Sequence, residues 1–298
     1  MFNFLRKWFS RKTPEAEVET RPLSPEEIQV SHQMAPLPRR EIGQLVAACS
    51  QSIGRQRELN EDSLLAFTST IAGNKSNSAF GLYIVADGMG GHQFGEIASN
   101  LAVRVVASTI LRKLFASFLD VNPKAPDQSL REIIEQAFAE AQRIIQREAP
   151  GSGTTLTVAV VIEQQVTVGH VGDSRAYLLH PGGHHEVMTR DHSLVKRLEE
   201  LGHITPEEAA SYPNRNVLYR AVGQGDSVDA DIYTFSLAPT DYLMLCSDGL
   251  WGVVPDEKIA RIVRESGTLD QACQRLVDAA NEAGGPDNIS VILVRWVE

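Results

Sequence analysis

An α+β fold is the architecture that the order of apolar and polar segments predicts. Short apolar runs bounded by turn residues are typical of strands, and polar connections as short as 163–165 and 181–183 predict antiparallel hairpins. Helical periodicity occurs in segments that come in pairs between the blocks of hairpins, whereas a doubly wound parallel sheet would alternate single helices with strands. The predicted strands cover 80–86, 156–162, 166–171, 175–179, 242–246 and 289–297, and the predicted helices cover 95–119, 129–148, 193–201, 256–266 and 269–283.

The chain is long enough for one large domain or two small ones. Its 298 residues are 43% hydrophobic and 22% charged, a composition that can bury a sizeable core. Residues 13–40 are rich in proline, glutamate, serine and threonine, with few large apolar side chains, so they are predicted to be a disordered linker. We therefore expect a basic N-terminal segment plus linker over 1–40 and one globular domain over 41–298.

The net charge of −10 is unevenly distributed. Residues 1–12 carry four basic residues and no acidic one, which leaves about −14 for the rest of the chain. Such an acidic body argues against nucleic acid as a partner. The three cysteines show no short spacing, which excludes a disulfide framework and favours a reducing, cytoplasmic compartment. No apolar run reaches the roughly 18 residues of a membrane span, and no secretory signal is expected.

The first twelve residues combine basic and large apolar side chains. A helix here would place Phe2, Leu5, Trp8 and Phe9 on one side, although Phe4 would fall on the wrong face. One interpretation is a weak anchor at the inner membrane surface or a docking peptide, and the other is a frayed tail. Both interpretations stay open on the sequence.

Acidic residues recur where apolar runs begin or end, mostly beside glycine or asparagine. One Asp-Gly after a strand is usually a turn, but a sheet fixes the backbone there and glycine allows a ligand to approach closely. Carboxylates meeting at one sheet edge would form an all-oxygen site for Mg²⁺ or Mn²⁺, which can clamp a phosphate. The acidic positions are Glu61, Asp62, Asp87, Asp173, Asp248 and Asp287.

Six sequence blocks make the chain recognisable. They are Arg57-Glu58-Leu59-Asn60-Glu61-Asp62, Asp87-Gly88-Met89-Gly90-Gly91-His92, Gly151-Ser152-Gly153-Thr154-Thr155, Gly172-Asp173-Ser174-Arg175, Ser247-Asp248-Gly249-Leu250-Trp251 and Gly285-Pro286-Asp287-Asn288. In these blocks and their order the sequence resembles the PPM family of metal-dependent Ser/Thr protein phosphatases (the type 2C phosphatases), in the form common in bacteria. The resemblance runs from about residue 45 to the C-terminus. One block alone is weak support, whereas six in order are strong.

The resemblance implies a central sandwich of two antiparallel sheets flanked by pairs of helices, an αββα arrangement of four layers. It also implies two tightly held divalent cations, Mn²⁺ or Mg²⁺. Asp87 would bridge them, joined by the Gly88 carbonyl, Asp248 and Asp287. Asp173 would hold a third, looser ion together with Asp248.

Residues around the ions receive implied roles as well. Glu61 and Asp62 would mostly order the waters on the metals, with Asn288 beside them. Arg57 would hold the substrate phosphate, because its planar fork can grip two oxygens. The stretch 190–220 resembles the family's flap, which shapes substrate access. The predicted catalytic residues are Asp62, Asp87 and Asp248.

The implied reaction is hydrolysis of phosphoserine and phosphothreonine by a metal-activated water, with no covalent intermediate. Phosphorylated proteins and an opposing Ser/Thr kinase in signal transduction are the implied partners, and we expect a monomer. Met89 stands where some family members carry a histidine proposed as the general acid. His92 lies three residues on, but nothing in the sequence gives it that role, so the general acid is left unassigned.

Two alternatives to an active protein phosphatase remain open. A pseudophosphatase would bind phosphoproteins without turnover, which the filled acidic positions disfavour, and a metal-dependent hydrolase would act on small phosphate esters. A Cys-based phosphatase fits poorly. Cys49 has Arg55 six positions on, but Ala48 and Gln56 do not match the rest of that motif.

Three histidines invite a metal-site interpretation that the sequence disfavours. His184 and His185 follow Gly182-Gly183 in a hairpin connection, where two histidines are far more often exposed to solvent. His170 lies within an apolar run and is interpreted as a hydrogen-bonded core residue.

Overall fold

The computed structural model describes residues 43–72, 77–90, 94–119, 127–205, 208–209, 212 and 216–297. The chain divides into two units between Glu41 and Ile42, and the described residues belong to the second. The predicted N-terminal segment and linker, 1–40, lie outside them. In the part of the chain that is described, no helix is long and apolar enough to cross a membrane.

Two antiparallel sheets form the centre of the fold. Their strands are β1 (Gln44–Ser52), β2 (Asp62–Ala72), β3 (Asn77–Met89), β4 (Gly153–Thr154), β5 (Leu156–Ile162), β6 (Gln165–Val171), β7 (Arg175–Leu179), β8 (His185–Val187), β9 (Asp231–Ser236), β10 (Tyr242–Cys246) and β11 (Ile289–Val297). The first sheet has the strand order β2-β3-β5-β6-β9, with β4 paired to the end of β3, and the second has the order β1-β11-β10-β7-β8. The predicted hairpins, one between β5 and β6 and one between β7 and β8, are confirmed.

The longer helices lie in two pairs along the chain, as the sequence predicts. The first predicted helix contains one π-helical turn, Leu111–Phe115, between two α-helical parts. The longest helix begins with a capping box, in which Ser129 and Glu132 each accept a hydrogen bond from the other's backbone N–H. The helices are α1 (Gly95–Ile110), α2 (Ala116–Phe118), α3 (Leu130–Glu148), α4 (Leu194–Glu200), α5 (Asp248–Trp251), α6 (Asp256–Glu265) and α7 (Leu269–Glu282).

Three apolar clusters separate four layers. One cluster, with Phe80 and Phe138, lies between the first sheet and the helices α1 and α3. A second, with Tyr83 and Leu245, lies between the two sheets. The third, with Met244 and Leu276, lies between the second sheet and the helices α6 and α7. This stacking confirms the predicted α+β sandwich with helices on both outer faces.

The strands absent from the prediction lie at the edges of the sheets or are very short. β1, β8 and β9 are edge strands, and β2, the fourth edge strand, showed in the sequence only a short apolar run. An edge strand has one neighbour and one solvated side, so it needs fewer apolar residues than a central strand. The burial of β1 and β9 is mixed along their length, whereas β5 and β11 are buried almost throughout. The predicted strands therefore form the centre of each sheet, and the strands at its borders were missed.

Candidate active site

Antiparallel pairing brings the acidic residues to one edge of the sandwich. Asp62 at the start of β2 lies directly opposite Asp87 near the end of β3. Asp173 follows the end of β6, Asp248 follows the end of β10, and Asp287 precedes β11. In an antiparallel sheet, one strand begins where its neighbour ends, so residues before one strand and after the next lie side by side. Both sheets therefore supply carboxylates to the same place. We call this group the acidic edge.

Burial and mutual repulsion raise the pKa values of three carboxyls at the acidic edge, those of Asp62, Asp87 and Asp173. Burial is the largest cause for Asp87, followed by the charges of Asp62, Asp248, Asp173 and Asp287, and together they raise its pKa well above the usual value. Burial, then the charge of Asp248, likewise raises the pKa of Asp173. The folded protein therefore disfavours the charged form of these three carboxyls unless a nearby cation balances their charge.

The Asp62 carboxylate is clamped on one side only. Its Oδ2 accepts hydrogen bonds from the hydroxyls of Ser247 at 2.7 Å and Ser290 at 2.6 Å. Its Oδ1 is buried and has no hydrogen-bond partner among the described residues. Burial raises the pKa of Asp62 to about 7, although both serine hydrogen bonds lower it. One carboxylate oxygen is thus fixed by the protein, and the other is left for a group that the protein itself does not supply.

Two threonines hold the backbone on which Asp87 stands. The N–H of Asp87 donates to Thr155 Oγ1 at 2.9 Å, and its carbonyl accepts from Thr154 Oγ1 at 2.9 Å. At the next position a Cβ would collide with the carbonyl of Gly95, so only glycine fits at Gly88. The conformation of the Asp87-Gly88 step is therefore set by contacts with β4 and the start of α1.

Asn288 braces the loop that carries Arg57. Its side-chain amide donates to the carbonyls of Ile53 at 2.9 Å and Leu59 at 2.8 Å, and its Oδ1 accepts from the N–H of Glu61 at 2.8 Å. Asn288 is itself buried, so it orders residues at both ends of this loop from inside the protein. The family resemblance implies a position for Asn288 beside the metal-bound waters. In the structure its side chain hydrogen-bonds the backbone of Ile53, Leu59 and Glu61.

Arg57 and Glu61 lie at the rim of the acidic edge. Arg57 Nη2 donates to Asp287 Oδ2 at 2.7 Å, and the arginine side chain is 44% exposed. The pKa of Glu61 is raised, mainly by burial, while the charge of Arg57 lowers it. The positively charged guanidinium of Arg57 therefore lies between the solvent and the carboxylates of the acidic edge.

An arginine–tryptophan pair beside Asp173 was not predicted from the sequence. The Trp251 indole N–H donates to the backbone carbonyl of Asp173 at 3.0 Å. The Arg175 guanidinium lies 3.5 Å above the Trp251 ring and forms an ion pair with Asp191 at 2.7 Å. Both residues stood in the matched sequence blocks, but their mutual contact depends on bringing together segments far apart in the chain.

The base of the predicted flap, 190–220, is hydrogen-bonded to Gly172, the residue before Asp173. The backbone N–H of His192 donates to the carbonyl of Gly172 at 2.7 Å, and the ring Nδ1 of His192 accepts from the backbone N–H of Gly172 at 3.1 Å. The Tyr219 N–H donates to the His192 carbonyl at 2.9 Å, which joins the two ends of the flap. The residues of this stretch outside the described part of the chain are 206–207, 210–211 and 213–215.

Other residues weighed in the sequence lie elsewhere or outside the description. His170 is buried and hydrogen-bonded to Thr157 and to the Arg190 carbonyl, so its interpretation as a core residue is confirmed. Burial raises the pKa of the Cys49 thiol, the opposite of what a nucleophilic cysteine needs. His92 lies outside the described residues.

The donor set of the acidic edge fits a hard divalent cation. Its ligand atoms are carboxylate and carbonyl oxygens, which Mg²⁺ and Mn²⁺ prefer. The raised pKa of Asp87 and the Oδ1 of Asp62, which has no partner among the described residues, both fit a place where a cation would balance the carboxylates. A buried cluster of like charges without such compensation would be costly.

Comparisons with known proteins agree with this arrangement. The sequence profile described as protein phosphatase 2C matches residues 47–201 and 227–289. The chain is 37% identical over 245 residues to the serine/threonine phosphatase stp of Listeria monocytogenes, covering 81% of this chain and 92% of that protein. It is also similar to the serine/threonine phosphatase of S. agalactiae, with a TM-score of 0.71, 32% identity and coverage of 85% of this chain and 100% of that chain.

A further similar structure contains metal. It is the catalytic domain of the serine/threonine protein phosphatase PstP in complex with two manganese ions, with a TM-score of 0.67 and 31% identity, covering 86% of this chain and 100% of that chain. The sandwich and its acidic edge define the class of this protein, which is a metal-dependent protein phosphatase. Within that class the chain belongs to the protein phosphatase 2C family.

Proposed function

We propose that the protein removes phosphate from phosphoserine and phosphothreonine side chains of proteins, with Mn²⁺ or Mg²⁺ held at the acidic edge. The observation that carries the proposal is the convergence of Asp62, Asp87, Asp173, Asp248 and Asp287 from both sheets, with Arg57 at their rim. A phosphate dianion would be repelled by these carboxylates alone, so a cation must reverse the local field before the substrate can bind.

Within this proposal, Asp87, the Gly88 carbonyl, Asp248 and Asp287 hold two ions, and Asp173 with Asp248 holds a third more loosely. When bound, these ions neutralise the carboxylates, attract the phosphate and lower the pKa of a water molecule. The oxygen-only donor set supports Mn²⁺ or Mg²⁺ over ions that prefer nitrogen or sulfur. The threonine contacts that fix the Asp87 backbone support its central position in the set.

Asp62 is proposed to orient the attacking water. The serine hydroxyls fix Oδ2, so Oδ1 is the atom that can accept a hydrogen bond from water and take up its proton. A carboxylate within hydrogen-bond reach of a water molecule can act as its general base. The proton donor to the leaving hydroxyl stays unassigned, since Met89 offers no acidic proton.

Arg57 is proposed to bind the substrate phosphate. Its exposed guanidinium lies at the rim and is oriented by Asp287, which contacts Nη2. A planar guanidinium carries several parallel N–H donors, so contact with one carboxylate leaves others for phosphate oxygens. The hydrogen bonds between His192 and Gly172, next to Asp173, support a role for the stretch 190–220 in shaping the entrance.

Turnover of a synthetic phosphothreonine peptide tests the proposal. Activity should disappear after metal removal with a chelator and return with Mn²⁺ or Mg²⁺, while Zn²⁺ should restore it poorly because the acidic edge offers no nitrogen or sulfur ligand. Cys49→Ser should leave turnover intact, because no cysteine takes part. Full activity after verified metal removal would refute the proposal.

The same assay separates the two alternatives. A pseudophosphatase would bind the phosphopeptide without releasing phosphate under any metal condition. A hydrolase of small esters would prefer nucleotides or sugar phosphates to the phosphopeptide in kcat/KM. Preference for the phosphopeptide supports the protein phosphatase.

We further propose that the protein opposes a Ser/Thr kinase, acts as a monomer in the cytoplasm and contacts the inner membrane surface weakly through residues 1–12. Those residues lie outside the described part of the chain, and their basic and apolar composition supports the contact. Each basic residue near an anionic surface contributes about 1 kcal/mol, an attraction that salt weakens. Deleting residues 1–40 should abolish salt-sensitive pelleting with anionic liposomes and leave peptide hydrolysis unchanged. Equal pelleting of both forms would favour the frayed tail.

A further inference from the structure

The β7–β8 hairpin places two imidazoles and a carboxylate around one point, far from the acidic edge. His180 follows β7, His184 precedes β8, and Glu186 lies within β8. The Nε2 atoms of His180 and His184 lie 3.2 Å and 3.6 Å from the same oxygen, Oε1 of Glu186. The two rings are nearly parallel, at 9°, with centroids 5.4 Å apart. One ligand atom from each of the three residues lies within 4.8 Å of the other two.

These separations suit a transition-metal ion. Bonds of about 2.0–2.1 Å from zinc to imidazole nitrogen or carboxylate oxygen place two ligand atoms of a tetrahedral centre about 3.3 Å apart. Two histidines and one glutamate are also a known zinc ligand set, in sites that leave a fourth position open. Imidazole favours Zn²⁺, Ni²⁺ and Cu²⁺, whereas Mg²⁺ prefers oxygen ligands.

A buried carboxylate orients one of the two imidazoles. Nδ1 of His180 lies 2.9 Å from Oδ1 of Asp241, a buried residue just before β10. Histidines that bind metal usually donate their other ring N–H to a carboxylate, which fixes the tautomer and turns the second nitrogen toward the ion. In His180 this second nitrogen is Nε2, the atom that faces Glu186. This contact is independent of the clustering itself and has the form expected around a metal ligand.

The turn between the two histidines is also well defined. The backbone N–H of His180 donates to the backbone carbonyl of His184 at 2.9 Å. The backbone N–H of Gly183 donates to the carbonyl of His180 at 3.0 Å. Gly183 has a φ of 87°, which residues other than glycine rarely adopt. The backbone thus holds the histidines in place before any ion binds, which lowers the entropic cost of binding.

We propose that His180, His184 and Glu186 form a binding site for a divalent transition-metal ion, with Zn²⁺ as the expected occupant. The site is separate from the acidic edge, because the whole of β7, Arg175–Leu179, lies between Asp173 and His180. At about 3.3 Å per residue this strand separates the two places by about 15 Å. The proposal does not depend on the proposed function, since it concerns different residues and a different class of ion.

Zinc binding by the untagged, full-length protein tests the proposal. Calorimetric titration with Zn²⁺ in a large excess of Mg²⁺ keeps the acidic edge supplied with the ion it prefers. His184→Ala and Glu186→Gln should each weaken zinc binding at the hairpin by about tenfold or more, because a lost ligand costs at least as much as a lost orienting partner. Both side chains are largely exposed, at 72% and 50%, so neither substitution disturbs the core.

His185→Ala is the matched control. This neighbouring histidine lies on the other side of β8, with its Nε2 3.7 Å from Asp256 Oδ2, so its removal should leave the zinc affinity unchanged. Zn²⁺ should also raise the Tm of the wild type and His185→Ala more than that of His184→Ala. Equal zinc affinity in the wild type and His184→Ala overturns the proposal, as does the absence of zinc binding by the wild type. Equal Tm values without metal establish that the variants are folded.

Discussion

The two ends of strand β7 carry polar clusters of opposite character. Two residues before the strand begins, Asp173 is a buried carboxylate of the acidic edge, and its pKa is raised by burial and by the charge of Asp248. At the other end, His180 directly follows the last residue of the strand and belongs to a group with two imidazoles near the surface. The side chain of His184 in this group is 72% exposed. The first cluster offers only oxygen ligands and the second mainly nitrogen, so the same fold presents sites for different classes of ion.

The two clusters also differ in how they are assembled. The hydrogen bonds to Asp62 come from Ser247 and Ser290, which are 185 and 228 positions away in the chain. The hairpin histidines are four positions apart and are held by one turn. The acidic edge therefore depends on the whole sandwich, while the hairpin cluster depends on local backbone geometry. Substitutions at the acidic edge should accordingly have the larger effects.

The largest effect is expected for Asp87→Asn. Losing this carboxylate should lower kcat/KM for a phosphopeptide by more than about 100-fold, because even partners that only orient metal ligands are worth 10–100-fold. The metal-free variant should be at least as stable as the wild type, since one repelling charge is removed. Steady-state kinetics at saturating Mn²⁺ and the Tm in chelator measure the two effects. Asp226→Asn, at an exposed site, is the control, and a kcat near that of the wild type in Asp87→Asn would contradict the role.

Asn288→Ala should show how far the acidic edge depends on distant contacts. The variant loses three side-chain hydrogen bonds, to Ile53, Leu59 and Glu61. At about 1 kcal/mol for each bond, we expect the free energy of unfolding to fall by about 2–4 kcal/mol, measured by urea denaturation. Phosphopeptide turnover should fall as well, because the braced loop carries Arg57. Asn100→Ala, at a surface asparagine on α1, should change neither quantity; equal losses in both variants would count against the brace.

Arg57→Ala is expected to raise KM by about tenfold, with a smaller change in kcat, because a phosphate contact made already in the bound substrate is uniform binding. Arg57→Lys should restore only part of the loss, since an ammonium group cannot reproduce the planar fork. Initial-rate kinetics with the phosphopeptide decide this. The neighbouring exposed Arg55 supplies the control, Arg55→Ala, and an unchanged kcat/KM in Arg57→Ala would exclude phosphate binding by this residue.

The smallest effect concerns Asp231, at the flap base. Burial raises its pKa, but hydrogen bonds from His192 and Tyr233 and the charge of Arg220 outweigh burial, so the net pKa is lowered. A lowered pKa means that the folded protein favours the carboxylate. Its contribution to stability is therefore present above the unfolded-state pKa of about 4 and is lost as the pH falls through the folded-state value.

Asp231→Asn should consequently reduce stability at pH 7 by less than about 1 kcal/mol, since solvent screens this partly exposed group. The difference between variant and wild type should shrink as the pH falls below about 4. Urea denaturation across this pH range measures it. A difference that stays constant with pH would mean that the charge of Asp231 makes no contribution.

The sequence predicted the central strands and the helix pairs better than the borders of the fold. β5, β10 and β11 are almost entirely buried, and continuous apolar runs revealed them. β1 and β9 pair on one side only and show mixed burial, and neither was predicted, although β1 contains the apolar run Leu45-Val46-Ala47-Ala48-Cys49. The π-helical turn Leu111–Phe115 gave no signal either, because its residues keep the helical pattern of their neighbours.

At the candidate sites the sequence by itself determined which chemistry is available. The family was inferred from the order of sequence blocks that contain an arginine and carboxylates beside glycine. The same carboxylates at strand ends indicated the class of ion. Only the tertiary structure decided which of these groups meet and how each is held. The position of Asp62 opposite Asp87 and the two serine hydrogen bonds to Asp62 follow from strand register. Register is set by packing of both sheets over a shared core, and this involves residues too far apart in the chain for local spacing to predict.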